Sequence, residues 1–143
     1  MRIRSVATAA AVVLACASAT AAHAVDIKIN VSFLNQTSGP AIAYVQHGSD
    51  QQHVNTTLMP NQPAFHTINR YTAVDGPEGR YGIGLQLYSV ATCYMEIVAK
   101  RTQGPVQGDV TCTIEREYSE STACSFAAMA ISASECAATI VAK

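Results

Sequence analysis

The chain has 143 residues, 49% of them hydrophobic and only 13% charged, with a formal charge of −1 at pH 7. That balance fits one compact domain and excludes a disordered tail, a collagen-like chain and a basic nucleic-acid binder. Tryptophan is absent, and with few lysines beside it neither base stacking nor phosphate neutralisation is well supplied, so nucleic acid is not an expected partner.

At the start, Arg2 and Arg4 supply positive charge, Val6 to Ala15 an apolar stretch, and Ala22-His23-Ala24 a small-x-small site of the kind signal peptidase cuts. Residues 1–24 therefore read as a signal peptide, and 25–143 as a single domain delivered to the periplasm or the cell exterior. The apolar run is too short and too alanine-rich for a stable membrane span. A rival reading takes Val13-Leu14-Ala15-Cys16 as a lipoprotein processing site with a lipid anchor at Cys16, although leucine directly before the small residue departs from the usual pattern. Removing 1–24 leaves 119 residues, in which nine basic residues less Arg2 and Arg4 face ten acidic ones, a charge of about −3.

From Val25 to Phe33 the odd positions are all apolar and the even ones polar, which predicts a strand with one buried face. Asn35 to Pro40 is a turn cluster, and strands follow at Ala41 to Gln46 and Val54 to Met59. Pro60 and Pro63 interrupt the ladder because neither donates a backbone hydrogen bond. Phe65 to Val74 is the next strand, and Asp75-Gly76-Pro77-Glu78-Gly79 a strong turn signal. In the Tyr81 to Tyr88 strand, Gly82 and Gly84 suggest a bulge or a close approach of another backbone. Thr92 to Tyr118 reads as a hairpin turning within Arg101 to Gly108. Ala123 to Ala133 fits a short helix or a strand, with a Ser-x-x-Glu capping box at Ser132 to Glu135, and Cys136 to Ala142 closes the chain as a strand. About seven to nine short strands with turns between them predict an all-β, antiparallel β-sandwich, Ig-like or jelly-roll-like.

Four cysteines remain after the leader: Cys93, Cys112, Cys124 and Cys136. An even number in an exported chain predicts two disulfides. Cys93 shares its parity with Met95 and Ile97, and Cys112 with Val110 and Ile114, so both lie on apolar faces. A tight hairpin would set Cys93 opposite Cys112, which favours pairing these two and leaving Cys124 to Cys136. No Cys-x-x-Cys occurs and no histidine neighbours a cysteine, which argues against zinc.

His47, Asp50 and His53 crowd one polar segment with ligand chemistry that suits zinc or copper, yet solvated loop side chains explain them as well, and no metal is expected. The acidic residues fall on polar strand faces or in turns rather than as a converging pair, no Gly-x-Ser-x-Gly occurs, and Gly82-Ile83-Gly84 lacks the third glycine of a phosphate cradle. No catalytic residue and no cofactor is therefore expected. If consecutive strands alternate direction, the loops at Gly48 to Gln52, Asp75 to Arg80, Arg101 to Gly108 and Ser132 to Glu135 share one end. Arg80, Tyr81 and Arg101 lie there and are residue types that anchor interfaces. The expectation is a non-enzymatic binding or inhibitor-like protein that takes a protein or glycan ligand at this end, where Arg80→Ala with Arg101→Ala weakens binding without lowering the melting temperature. The alternatives are a surface-structural subunit that donates its N-terminal strand, and a small hydrolase or metal-binding protein. Asn30, Asn35 and Asn55 head Asn-x-Ser/Thr sequons, which the alanine-rich, bacterial-looking leader leads us to expect bare.

Overall fold

The computed structural model describes residues 27–47, 50–70, 76–88, 91–101, 108–120 and 122–143, without the side chains of 47 and 50–54. The signal peptide, its cleavage after Ala24 and the lipidation reading at Cys16 fall outside the described residues. Nine strands run in order: β1 Ile27–Asn35, β2 Ala41–His47, β3 Asp50–Leu58, β4 Pro63–Arg70, β5 Glu78–Leu87, β6 Thr92–Arg101, β7 Val110–Glu120, β8 Cys124–Ala130 and β9 Glu135–Ala142. The ambiguous alanine-rich segment is thus a strand, and Ser132 to Glu135 is a turn closed by Ile131 N–H donating to Glu135 C=O (2.9 Å) rather than a helix start. Among the described residues no helix is long and apolar enough to cross a membrane.

The strands form two sheets, one of four in the order β4-β1-β9-β8 and one of five in the order β3-β2-β5-β6-β7. Every pairing is antiparallel except β1 with β9, which is parallel, with Ile29 opposite Cys136 and Phe33 opposite Ile140. The N-terminal strand therefore completes its own sheet between β4 and β9, a place that leaves it nothing to donate. Its alternation does what the pattern requires: Ile27, Ile29, Val31 and Phe33 are buried, while Lys28, Asn30, Ser32 and Leu34 face outward. Opposite them, Tyr81, Ile83, Leu85, Met95 and Ile97 fill the five-stranded sheet's inner face. Each large aliphatic buried this way contributes on the order of 2 kcal/mol.

Pro60 to Pro63 carries the chain from β3 in one sheet to β4 in the other, where His66 lies opposite Val31. Asn35 closes this end. Its side chain is fully buried, donating through Nδ2 to the carbonyls of Gly39 (2.8 Å) and Leu58 (3.3 Å) and accepting at Oδ1 from Thr37 N–H (3.1 Å) and Thr37 Oγ1 (2.7 Å). The amide that heads this sequon is spent on the fold.

Both disulfides form, but with the other partners: Cys93 with Cys124 and Cys112 with Cys136. The β6–β7 connection is longer than a tight turn. Arg101 pairs with Val110, so eight residues separate the strands, and Cys93 sits opposite Ser119 while Cys112 sits opposite Ala99. Near the turn this shifts the register by six residues. There the even shift keeps every side chain on its face and changes only its partner, while a bulge between Glu96 and Ile97 adds a seventh residue beyond it and turns Tyr118 to the outer face beside Tyr94, although it shares parity with buried Cys112. Each cross-link now joins the two sheets, β6 to β8 at one end of the sandwich and β7 to β9 at the other.

Candidate functional site

The loop end forms as the alternation implied, because successive strands do reverse direction and backbone bonds gather the connections there: Arg101 N–H donates to Pro77 C=O (2.9 Å) and Val110 N–H to Ala133 C=O (3.1 Å). Two of the side chains expected to meet a ligand there do something else. Arg101 is only 6% exposed and its guanidinium donates to the carbonyls of Ala133 (Nη2, 2.9 Å) and Gly108 (Nη1, 3.3 Å). It pins three connections together from inside. Tyr81 is fully buried, its hydroxyl within reach of Arg70 Nη1 (3.5 Å), while Arg70, itself buried, donates through Nε to Gly76 C=O (3.1 Å). Neither Tyr81 nor Arg101 presents a surface to a partner, and parity carries the reason: Tyr81 steps with Ile83 and Leu85, Arg101 with Ile97 and Ala99, all inward. His47 and Asp50 are opposite one another where β2 turns into β3, and His53 lies on β3; their side chains lie outside the described residues.

Arg80 points the other way, onto the outer face of the five-stranded sheet. There it is half-exposed and engages Glu78 (3.1 Å), Glu96 (3.5 Å) and Glu115. The same face carries the feature that residue-by-residue reading missed. Tyr44 on β2, Gly84 on β5, Tyr94 on β6 and Tyr118 on β7 stand in one register row. A Cβ on Gly84 would collide with the Tyr44 ring, and one on Gly82 would sit 2.8 Å from the Tyr94 hydroxyl. The two rings therefore lie over β5 from opposite sides, using the space the glycines leave. β5 stays in regular register with both neighbours, so these glycines mark neither a bulge nor a backbone contact but seats for aromatic rings.

Burial raises the Tyr44 phenol above its ordinary value of 10.0, with the nearby Tyr94 adding to the shift. Tyr94 is raised by burial and then by Glu96. Exposed Tyr118 is raised chiefly by Glu120. All three are thus neutral hydrogen-bonding phenols at neutral pH. A shallow depression of about 240 Å³ lined by Gln46, Arg80, Gly82, Tyr94 and Glu96 borders the rings on one side. Another, of about 280 Å³, lies by Ile42, Gln86, Leu87 and Tyr88 on the other. A larger depression of about 690 Å³ sits at the opposite end from the Arg101 clamp, beside Thr37, Tyr88, Thr122 and Lys143. Among the described residues no group of three His, Cys, Asp or Glu side chains is placed to hold a metal ion. No protein-family model matches the chain, and no curated protein does.

Proposed function

We propose that the protein is an exported, non-enzymatic binding protein whose recognition surface is the outer face of the five-stranded sheet rather than the loop end. One observation carries this reading: two tyrosine rings seated over glycines in a central strand, bordered by Gln46, Gln86, Arg80 and Glu96. Aromatic rings with a polar tip, held rigidly and half in water, supply contact area at low entropic cost, which is what binding surfaces select. The two inter-sheet disulfides fit an oxidising compartment outside the cytoplasm. The test is photo-crosslinking in the producing cell, with a photoreactive residue in place of Gln86 and, as control, in place of Thr139 on the other sheet. Crosslinks at Gln86 to a defined component, absent at Thr139, support the reading. A Gln86 pattern no different from that at Thr139 overturns it.

A second reading, a self-assembling surface subunit, has its own observation. Neither edge of the four-stranded sheet, β4 or β8, carries an acidic residue or a lysine, and Phe65 is 79% and Met129 57% exposed there, whereas edge strand β7 bears Glu115, Arg116, Glu117 and Glu120. Charged side chains are the usual guard on an unpaired edge. Assembly of this kind would proceed through β4 and β8, not through donation of β1. Sedimentation of the purified protein as a monomer at 100 μM or so, on the order of concentrations at which weak self-association registers, would set it aside.

A further inference from the structure

We infer that the tyrosine-floored strip along β5 takes an uncharged glycan chain, an inference that rests on the binding-protein reading and gives that surface its ligand class. The even residues of β5 run Gln86, Gly84, Gly82, Arg80 along the outer face, a span of about 20 Å at 3.3 Å per residue. The two central positions have no side chains of their own. The Tyr44 ring reaches over the first and the Tyr94 ring over the second with their hydroxyl ends, so the strip between β2 and β6 has an aromatic floor. Both residues remain partly exposed.

The geometry decides among ligand classes. A pyranose ring has one face of C–H bonds carrying partial positive charge, and such a face stacks on the negative face of an aromatic ring. Its hydroxyls radiate in the plane and need donors and acceptors at the sides. Gln46, Glu96 and Arg80 supply them at one end of the floor and Gln86 at the other. A carboxylate or an amide satisfies paired hydroxyls, each group accepting or donating two bonds. A peptide strand would instead need an unpaired sheet edge, and β5 is paired on both sides, to β2 and to β6. Charge disfavours a polyanion: Arg80 is engaged by Glu78, Glu96 and Glu115, and Arg116, which acts on Tyr94, stands opposite Glu96, so an acidic chain would meet more carboxylate than free guanidinium. An uncharged chain meets neither penalty.

The protein has no tryptophan and six tyrosines, so its emission is tyrosine emission, and the part of a titration signal that is lost in the Tyr44→Ala, Tyr94→Ala variant reports on these two rings. The test is affinity electrophoresis in native gels containing one of mixed-linkage β-glucan, xyloglucan, galactomannan, dextran or, as a polyanion control, alginate, with tyrosine fluorescence titration of any that retards the protein. Retardation by at least one of the four neutral polysaccharides is expected. Tyr44→Ala with Tyr94→Ala should weaken that binding about tenfold or more, since each stacked ring contributes about as much as an aromatic pair. Tyr44→Phe, which keeps the ring face, should stay within about twofold of the parent by the same reasoning. Gly84→Ala keeps both tyrosines and lifts one ring from its seat, so it should weaken binding while its circular dichroism and melting curve confirm a folded chain. Retardation by none of the four, by alginate alone, or equally in the double tyrosine variant overturns the inference. If the Gln86 photo-crosslinker meanwhile captures a protein, the glycan assignment falls and the binding surface stands; if it captures nothing, both fall.

Discussion

Removing cysteines two at a time tests the topology directly, because the two ways of pairing them predict different outcomes for the same variants. The observed disulfides close segments of 31 and 24 residues, and the chain-entropy relation assigns each about 3.5 kcal/mol. With an unfolding entropy of about 2.1 cal/mol/K per residue, a domain of this length loses about 14 °C of melting temperature for each. Cys93→Ala with Cys124→Ala deletes one cross-link cleanly: about 3.5 kcal/mol, about 14 °C, and no free thiol. Cys93→Ala with Cys112→Ala instead removes one partner from each bond. The surviving Cys124 and Cys136 cannot pair with each other in the fold, because Cys124 faces Ala142 and Cys136 faces Ala130, a slip of six residues or about 20 Å along the strands. This variant should expose two thiols on denaturation and lose about 7 kcal/mol, most of what holds a domain of this size together. Thiol titration in denaturant and melting followed by circular dichroism read both quantities. A Cys93→Ala, Cys112→Ala protein with no free thiol and a single-bond loss would refute the inter-sheet staples and restore the hairpin pairing.

Arg101→Ala, expected from sequence to affect only binding, should lower stability by about 2–3 kcal/mol, because it strips charged donors from the carbonyls of Gly108 and Ala133; Arg80→Ala, on the exposed face, should leave the melting temperature where it is. Chemical denaturation compares the two, and equal behaviour would contradict the clamp. Asn35→Ala should cost about 3 kcal/mol, since it removes four hydrogen bonds at the β1–β2 turn, and a loss within experimental error would mean water replaces the amide. Tyr44 and Tyr94 hold their protons more tightly in the fold than out of it, chiefly through burial. Their contribution is therefore complete below pH 10 and is lost as pH climbs through the raised values. Denaturation midpoints should fall between pH 10 and 12, about the range in which phenols titrate, and Tyr→Phe at both positions should flatten that fall.

Period-two alternation made each strand and each inward face legible: Val31 and Phe33 in β1, Cys93 and Met95 in β6, Cys112 and Val110 in β7 all point where parity puts them. Parity is blind to partner. Between the turn and the Glu96/Ile97 bulge the β6–β7 hairpin slips by six residues, which leaves the faces there unchanged, so nothing in the pattern could choose between Cys112 and Cys124 as the mate of Cys93. The crossing at Pro60 to Pro63 and the parallel seat of β1 beside β9 were hidden for the same reason, since both depend on which sheet a strand joins. The inward turn of Arg101 and Tyr81 was legible all the same: as residue types they suit interface anchors, but their parity with Ile97 and Ile83 places them in the core. Tyr44 and Tyr94 have the opposite parity, but only strand order brings them to the two sides of Gly82 and Gly84.

Those glycines bear on whether the aromatic floor exists for stability or for something else. Each glycine inside a strand costs about 0.5–1 kcal/mol against a residue with a side chain, and here two of them occupy the middle of a central strand. A sequence under pressure only to fold would place valine or threonine at both and leave β2 and β6 free of large rings. Replacing the whole arrangement, Gly82→Thr and Gly84→Thr together with Tyr44→Ala and Tyr94→Ala, exchanges a glycine gain of about 1–2 kcal/mol for the loss of two half-buried rings worth about the same. The fourfold variant should therefore melt close to the parent while losing its ligand. If it is instead less stable by several kcal/mol, with an otherwise native circular dichroism spectrum, the rings are needed to hold β2, β5 and β6 in place, and the strip has a sufficient structural reason to exist without any ligand.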